Sequence, residues 1–228
     1  MYQALSAKDK AKWQEDVLDI CSSMAGVLRK QGQLEKAVAY YRKSVVPPGI
    51  SSIADVTTTT SDSNVDDYCD TSDELTSLLL RGRQFNKLQA YLRAEAELLG
   101  KMVSARPAVR CYAEDRDYAS VLRTVAPILA GRNREALDSA EEYARAVGDT
   151  PDTARALAYA YLFNGQADRA EELCTKYKDA DTSAGVKFRL TVSYGFGTLR
   201  RYGVSTPEMA RIEKLLDTEP GGVDANAK

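Results

Sequence analysis

The chain has 228 residues, of which 44% are hydrophobic and 28% are charged, and its formal net charge is −2. This length and composition are typical of one globular soluble domain and exclude a disordered or fibrous chain. The near balance of acidic and basic residues argues against nucleic acid as a partner, because proteins that bind a phosphate backbone carry a basic surface.

The residue types also restrict the chemistry. The chain has no histidine, and its four cysteines include no C-x-x-C pair. Common zinc sites and catalytic pairs that need histidine are therefore excluded, and we predict no metal site, no cofactor and no enzymatic activity. The sequence predicts no membrane span and no secretory signal. Scattered cysteines predict reduced, packed thiols in the cytoplasm or another reducing compartment.

The first two predicted helices form a hairpin. Ser6 can cap the first helix, whose apolar residues recur at helical spacing. These residues are Trp13, Val17, Ile20, Cys21, Met24 and Leu28. The sequence around Gly32 ends this helix. A second helix, LEKAVAYYRKSVV, runs to Pro47-Pro48, where neither proline can donate a helical backbone hydrogen bond.

The segment 49–72 has a different composition. It reads GISSIADVTTTTSDSNVDDYCDTS and contains no lysine or arginine. Because it has little large apolar surface to offset the entropy of ordering, we predict a long, mobile acidic loop inserted in the domain. Asp62 to Asp73 have the spacing of a calcium-binding EF-hand loop. However, Asp67 stands where that loop requires glycine, so we predict a solvated loop and no metal.

Four more helices are predicted as far as residue 147. The segments DELTSLLLRG and FNKLQAYLRAEAELLGKMV each place leucines on one face and pair as a hairpin around Gly82. The segment PAVRCYAEDRDYASVLRTVAPILAG is helical in pattern, although Pro127 is expected to kink it or to begin a fresh turn. Its partner helix is predicted from Arg134 to Val147.

The C-terminal part begins with a clear hairpin and continues with an ambiguous segment. Thr150-Pro151 opens the hairpin, which extends to Tyr177. Apolar residues then alternate from Val186 to Phe196, which is the pattern of a strand. We nevertheless predict a helix, because the one β-rich segment that could pair with a strand lies in the acidic loop.

The last predicted elements are a helix and a tail. The sequence Ser205-Thr206-Pro207 is a helix start signal, and EMARIEKLLD is predicted to be a C-terminal helix that caps the end of the domain. Residues 221–228 are predicted to be a disordered tail.

Small residues recur at a fixed spacing in two hairpins. Gly131 and Gly165 lie 34 residues apart, and so do Ala136 and Ala170. Two segments also match the pattern W-x₂-L-G-x₂-Y followed by A-x₃-F. The matching residues are Ala154, Leu157, Ala158, Tyr161, Ala170 and Cys174 in one segment, and Cys21, Met24, Ala25, Leu28, Ala37 and Tyr41 in the other. These segments resemble the tetratricopeptide repeat (TPR) family.

The resemblance implies an all-α fold. Antiparallel helical hairpins would stack as a TPR-like superhelix, a right-handed α-α solenoid, in a single domain over residues 1–220. The match is uneven: the Gly131 unit fits only in its second helix, and Lys87 stands in the slot of the small alanine in the hairpin around Gly82. The alternative is an irregular all-α bundle in which alanines mark close helix crossings.

The resemblance also implies a function. A TPR-like solenoid would be a non-enzymatic scaffold or adaptor that binds a peptide or a partner subunit in a larger assembly. The first helix of each hairpin would line its concave surface, where Arg155, Tyr159, Leu162 and Phe163 are the candidate partner-binding residues. Alternatively, Tyr159 and Phe163 pack on the next hairpin. A different function class is an all-α regulatory or chaperone-like domain whose acidic loop, 49–72, acts as a switch.

Overall fold

Helices make up the regular structure. A computed structural model describes residues 7–45, 62–105 and 110–217. Within these ranges there are ten α-helices, and the β-type contact is an isolated bridge between Asp181 and Lys187. The helices are α1 Ala7–Lys30, α2 Leu34–Val45, α3 Asp62–Arg81, α4 Phe85–Ala105, α5 Arg110–Leu129, α6 Asn133–Val147, α7 Pro151–Phe163, α8 Ala167–Tyr177, α9 Phe188–Arg201 and α10 Pro207–Asp217. The all-α prediction is confirmed.

The chain divides into two compact units. The N-terminal unit contains Met1–Gln84 and Leu98–Tyr112, and the C-terminal unit contains Phe85–Glu97 and Ala113–Lys228. In the N-terminal unit, α1 packs against α2, and α2 packs against α3. In the C-terminal unit, α6 packs on α7, α7 on α8, α9 on both α7 and α8, and α10 on α8 and α9. Neighbouring helices therefore stack within each unit, which confirms the predicted fold class. The single domain over 1–220 stays a prediction.

One turn geometry recurs between the helices of each hairpin. A residue with positive φ follows the first helix, and the next amide donates to a carbonyl oxygen five residues earlier, as in the Schellman motif. The residues with positive φ are Gly32, Arg83, Gly131, Gly165 and Gly203. The hydrogen bonds are Gln33 N to Leu28 O, Gln84 N to Leu79 O, Arg132 N to Pro127 O, Gln166 N to Tyr161 O and Val204 N to Leu199 O. The hairpins thus share one turn geometry, so their residues can be aligned by counting from the residue with positive φ.

This alignment corrects the assignment of Lys87 to the position of the small alanine. The residue five positions after the positive φ is fully buried in four hairpins, as Ala37, Leu88, Ala136 and Ala170. The prediction placed Lys87 in this slot, and Lys87 lies five residues after Gly82. The left-handed residue is Arg83 (φ 53°), so the slot belongs to Leu88. A glycine in the turn was misleading because its neighbour adopts the left-handed conformation.

Two prolines have different local effects. Pro127 lies inside α5, which continues to Leu129, and its carbonyl oxygen accepts the turn hydrogen bond from Arg132 N. Pro151 is the first residue of α7, where its missing N–H is not needed. A capping box closes that end: Thr153 N donates to Thr150 Oγ1 at 3.2 Å, and Thr150 N donates to Thr153 Oγ1 at 2.9 Å.

The ambiguous segment forms α9, so the helix prediction is confirmed. Every second residue from Val186 to Phe196 is apolar, but this series contains two sets with helical spacing. Phe188, Val192 and Phe196 are at most 1% exposed, because residues four apart share one helix face. Leu190 and Tyr194 are 58% and 74% exposed. Strand-like alternation therefore arises from a buried helix face and a second, exposed apolar stripe.

The predicted acidic loop is wrong in its second half. Helix α3 begins at Asp62, so residues 62–72 are helical, and residues 46–61 lie outside the described part of the chain. Thr71, Ser72 and Thr76 are buried beside Leu75. Small polar residues thus occupy part of the packed face, where their hydroxyls can bond to helix carbonyls. The prediction was wrong because it considered only large apolar residues as core. The helical backbone from Asp62 also differs from an EF-hand loop.

The last hairpin is completed by α10, which confirms the predicted helix after Pro207. Met209, Ile212 and Leu216 are at most 1% exposed and recur at helical spacing. This face packs against α8 and α9. The predicted tail, 221–228, lies outside the described residues.

Candidate protein-interaction surface

The contact between α7 and α9 centres on Tyr159. The ring of Tyr159 lies 5.6 Å from the ring of Phe196, centroid to centroid. The Tyr159 hydroxyl lies 3.1 Å from the carbonyl oxygen of Thr191 and 3.3 Å from that of Val192, and donates to this pair. Burial raises the pKa of Tyr159 well above its ordinary value. The hydroxyl is therefore a neutral donor in a closed interface.

Gly195 makes this close approach possible. A Cβ atom at Gly195 would lie 2.0 Å from the Tyr159 hydroxyl and 2.6 Å from its Cζ atom. No Cβ atom tolerates such a distance from a rigid ring. The large side chain of α7 thus fits over a position of α9 that has no side chain.

A buried ion pair holds the segment before α9 against α7. One carboxylate oxygen of Asp152 accepts a hydrogen bond from Arg155 at 2.9 Å, and the other accepts from Ser183 N at 2.7 Å. The Asp152 side chain is 4% exposed and that of Arg155 is 14% exposed. Asp152 therefore joins α7 to the backbone of the segment before α9.

We expect Asp152→Ala to lower the free energy of unfolding by about 2 kcal/mol, because the Ser183 amide and the Arg155 guanidinium would both lose their acceptor. Asp149→Ala is the matched control, since the Asp149 side chain is 67% exposed and pairs with exposed Lys176. It should leave stability nearly unchanged. Urea unfolding followed by circular dichroism measures both, and equal effects of the two substitutions would contradict a structural role for Asp152.

The predicted partner-binding residues do not form an open surface together. Tyr159 and Leu162 are 1% and 4% exposed, and this contradicts their assignment to an open groove. Arg155 is held by Asp152. Phe163 is half-buried, and its carbonyl oxygen accepts from Asn133 Nδ2 at 2.7 Å. For Tyr159 the alternative, packing on the next hairpin, describes the structure. The prediction assumed that this side of α7 is open, whereas α9 packs against it.

Aligning α7 with α9 identifies a different surface. Their turn glycines, Gly165 and Gly203, lie 38 residues apart and share the same hydrogen-bond geometry. Each residue of α7 thus has a counterpart 38 positions later. Three residues on the side of α7 that faces α9 are at most 3% exposed, namely Asp152, Ala156 and Tyr159. Their counterparts are Leu190, Tyr194 and Gly197, all exposed.

We call this the α9 outer face and define it as Leu190, Tyr194, Gly197 and Arg201. It is apolar in its centre. Nothing lies within 4 Å of a Cβ atom built at Gly197, so the middle of the face is open. In α7 the same side is covered by α9. In α9 it is not covered by any described residue that would bury it.

The border of the α9 outer face carries four basic side chains, three of which pair with carboxylates. Lys187 pairs with Asp181 at 2.9 Å and Arg189 with Asp179 at 3.7 Å. Arg200 makes two hydrogen bonds to the Glu213 carboxylate, at 2.7 and 2.5 Å. Arg201 is exposed at the C-terminal end of the face. Arg201 can therefore attract an acidic residue of a partner segment that covers the apolar centre.

The spacing of apolar residues in the sequence is a signal for this face. Val186, Leu190 and Tyr194 are spaced by four residues, and so are Phe188, Val192 and Phe196. A helix that buries the second set must present the first set elsewhere on its surface. Once the segment was taken as a helix, the sequence predicted that one of the two sets would be exposed, but not which one.

Two cysteines are packed inside the protein. Cys21 and Cys174 are buried, and both are free thiols. Burial raises the pKa of the Cys174 thiol to about 12, and Glu171 adds to this effect. Across the described segments, no group of three acidic or cysteine side chains is arranged to hold a metal ion. Cys174 thus acts as a small apolar residue in the α7–α8 hairpin.

The raised pKa of Cys174 predicts a loss of stability at alkaline pH. Above about pH 9, the thiol ionises in the unfolded chain but stays protonated in the folded chain, so the unfolded state binds fewer protons and stability falls as pH rises. We expect Cys174→Ala to remove about 1 kcal/mol of the wild-type loss between pH 7 and pH 10. Urea unfolding at each pH measures it. Parallel pH profiles for the two proteins would contradict it.

Comparisons with known proteins find a similar solved structure but no matching family. Within the described ranges, no helix combines the length and apolarity that a membrane span requires. No family model and no curated protein matches the chain. A matching solved structure is the crystal structure of a thermophilic TPR protein of Thermus thermophilus, which is 16% identical. The match covers 78% of this chain and 98% of that chain at a TM-score of 0.28.

Proposed function

We propose that this protein is a non-enzymatic scaffold that binds another protein through the α9 outer face. The main evidence is that Leu190 and Tyr194 are 58% and 74% exposed, whereas their counterparts in α7 are buried. Apolar side chains arranged along one helix face are the usual acceptor for an amphipathic helix. The partner would therefore present a helix with an apolar stripe and acidic flanking residues.

The intramolecular contact between α7 and α9 supports this mode of binding. There, one helix lays its side along the next, and Tyr159 fits over Gly195. A helix arriving at the α9 outer face would continue this arrangement, with Gly197 offering room for a large side chain. Tyr194 would provide the central aromatic contact, because rigid aromatic side chains dominate binding energy in such interfaces.

The other parts of the proposal follow from composition and burial. The near-zero net charge supports a protein or peptide partner over nucleic acid. Buried free thiols support the cytoplasm or another reducing compartment. A role as adaptor, or as a subunit of a larger assembly, is proposed from the open helix face alone.

Photo-crosslinking in cells tests this function. A benzoylphenylalanine in place of Tyr194 should form an adduct whose partner peptide maps to an amphipathic helix, and adding Leu190→Glu should abolish the adduct. The same probe in place of exposed Ala210 on α10 is the matched control. Equal adducts from both positions, or a partner peptide without an apolar helix face, would overturn the proposal.

A further inference from the structure

A second apolar stripe lies on α1, in the N-terminal unit. Ile20, Met24 and Val27 are 64%, 43% and 51% exposed, and they lie on one side of the helix. A different side of α1 buries Cys21 and Ala25. Asp16 extends the stripe by one turn and is exposed. The stripe therefore combines apolar residues with an acidic end.

Each residue of the α1 stripe has a counterpart in α9. The turn glycines Gly32 and Gly203 lie 171 residues apart and have the same hydrogen-bond geometry. Ile20 and Met24 are therefore the counterparts of Thr191 and Gly195. In α9 these two residues contact Tyr159 of the preceding hairpin. The α1 stripe is thus the side of a first helix that packs on a preceding hairpin.

The opposite side of α1 is directed towards α3. Arg29 on that side donates to Glu74 of α3 at 2.6 Å. The α1 stripe consequently faces away from α3. The α1 stripe corresponds to a side that packs on a preceding hairpin, and the α9 outer face corresponds to a side that packs on a following hairpin. Within the described ranges no hairpin precedes α1, and none follows the hairpin that α9 begins.

We propose, building on the proposed function, that the α9 outer face binds the α1 stripe of a second copy of this chain. The α7–α9 contact within the chain is the template for this interface. The large and small side chains exchange places between the two contacts. Within the chain, Tyr159 lies over Gly195. Between copies, Ile20 and Met24 lie over Gly197, which leaves open space for them. Asp16 of one copy is then close to Arg189 of the other, whose pairing with Asp179 is long at 3.7 Å.

Such an interface is heterologous, because two different surfaces meet. Each copy can bind one neighbour through its α9 outer face and another through its α1 stripe. The expected self-association is weak, since two short helix faces bury less surface than a standard interface.

Sedimentation velocity of the purified full chain tests the proposal over about 1 to 200 μM, the range for micromolar to weaker association. We expect the wild type to self-associate. Tyr194→Glu and Met24→Glu should each weaken association by about tenfold or more, because each buries a carboxylate at the interface. Ala210→Glu and Ala39→Glu add the same charge at exposed positions elsewhere and should behave as wild type. Circular dichroism checks that all variants are folded.

The decisive measurement is a mixture of the two weakened variants. Tyr194→Glu retains an intact α1 stripe, and Met24→Glu retains an intact α9 outer face, so an equimolar mixture should form a 1:1 dimer. Three results would overturn the proposal: a monomeric wild type at the highest concentration, undiminished self-association of Met24→Glu, or no dimer in the mixture. None of these results affects a crosslink from position 194 to a different protein, so the proposed function is tested separately.

Discussion

Gly195→Ala and Gly197→Ala are expected to change stability in opposite directions, although both replace a glycine of α9 by the best helix former. Alanine at 195 should lower the free energy of unfolding by about 3 kcal/mol, because its Cβ atom would overlap the Tyr159 hydroxyl. Alanine at 197 should raise it by about 0.5 to 1 kcal/mol, since the position is open and glycine weakens a helix.

Urea unfolding of the two variants, followed by circular dichroism, measures the difference. The pair controls for helix propensity, because the helix and the substitution are the same. A stabilising effect of alanine at both positions would mean that α9 does not lie against Tyr159 as described.

Tyr159→Ala is expected to lower the free energy of unfolding by about 3 to 5 kcal/mol, because it removes a fully buried aromatic ring and leaves a cavity beside Phe196. Tyr159→Phe keeps the ring and loses one buried hydrogen bond, so it should cost only about 1 kcal/mol. Had Tyr159 lined an open groove, its removal would weaken partner binding and leave stability nearly unchanged.

A double-mutant cycle links these two predictions. With alanine at 159 there is no ring for the Cβ atom at 195 to meet, so Gly195→Ala should then cost little or become favourable. Additive effects of the two substitutions would show that they act at separate places and would contradict the contact.

The sequence was informative where a signal is local. Turn glycines followed five residues later by a small residue, as at Gly131 with Ala136 and Gly165 with Ala170, correctly indicated hairpins. The same reasoning failed at Gly82, because the left-handed conformation belongs to Arg83. It also failed at residues 62–72, where Thr71 and Ser72 are buried in a helix that composition predicted as a loop.

Candidate surface residues were harder to predict than helices. Tyr159 and Leu190 are both large apolar residues on first helices of hairpins, yet one is 1% exposed and the other 58%. Nothing in their local sequences distinguishes them. The difference is that α7 has a following helix at its side, whereas the corresponding side of α9 stays open in the described part of the chain.

By itself, the sequence determined the helical class, the positions of most helix ends and the absence of histidine chemistry, because helix spacing, turn residues and residue types act over a few positions. Only the tertiary structure decided which apolar faces are covered. Burial of a helix face depends on which neighbour packs against it, and that neighbour is brought there by contacts between residues far apart in the chain.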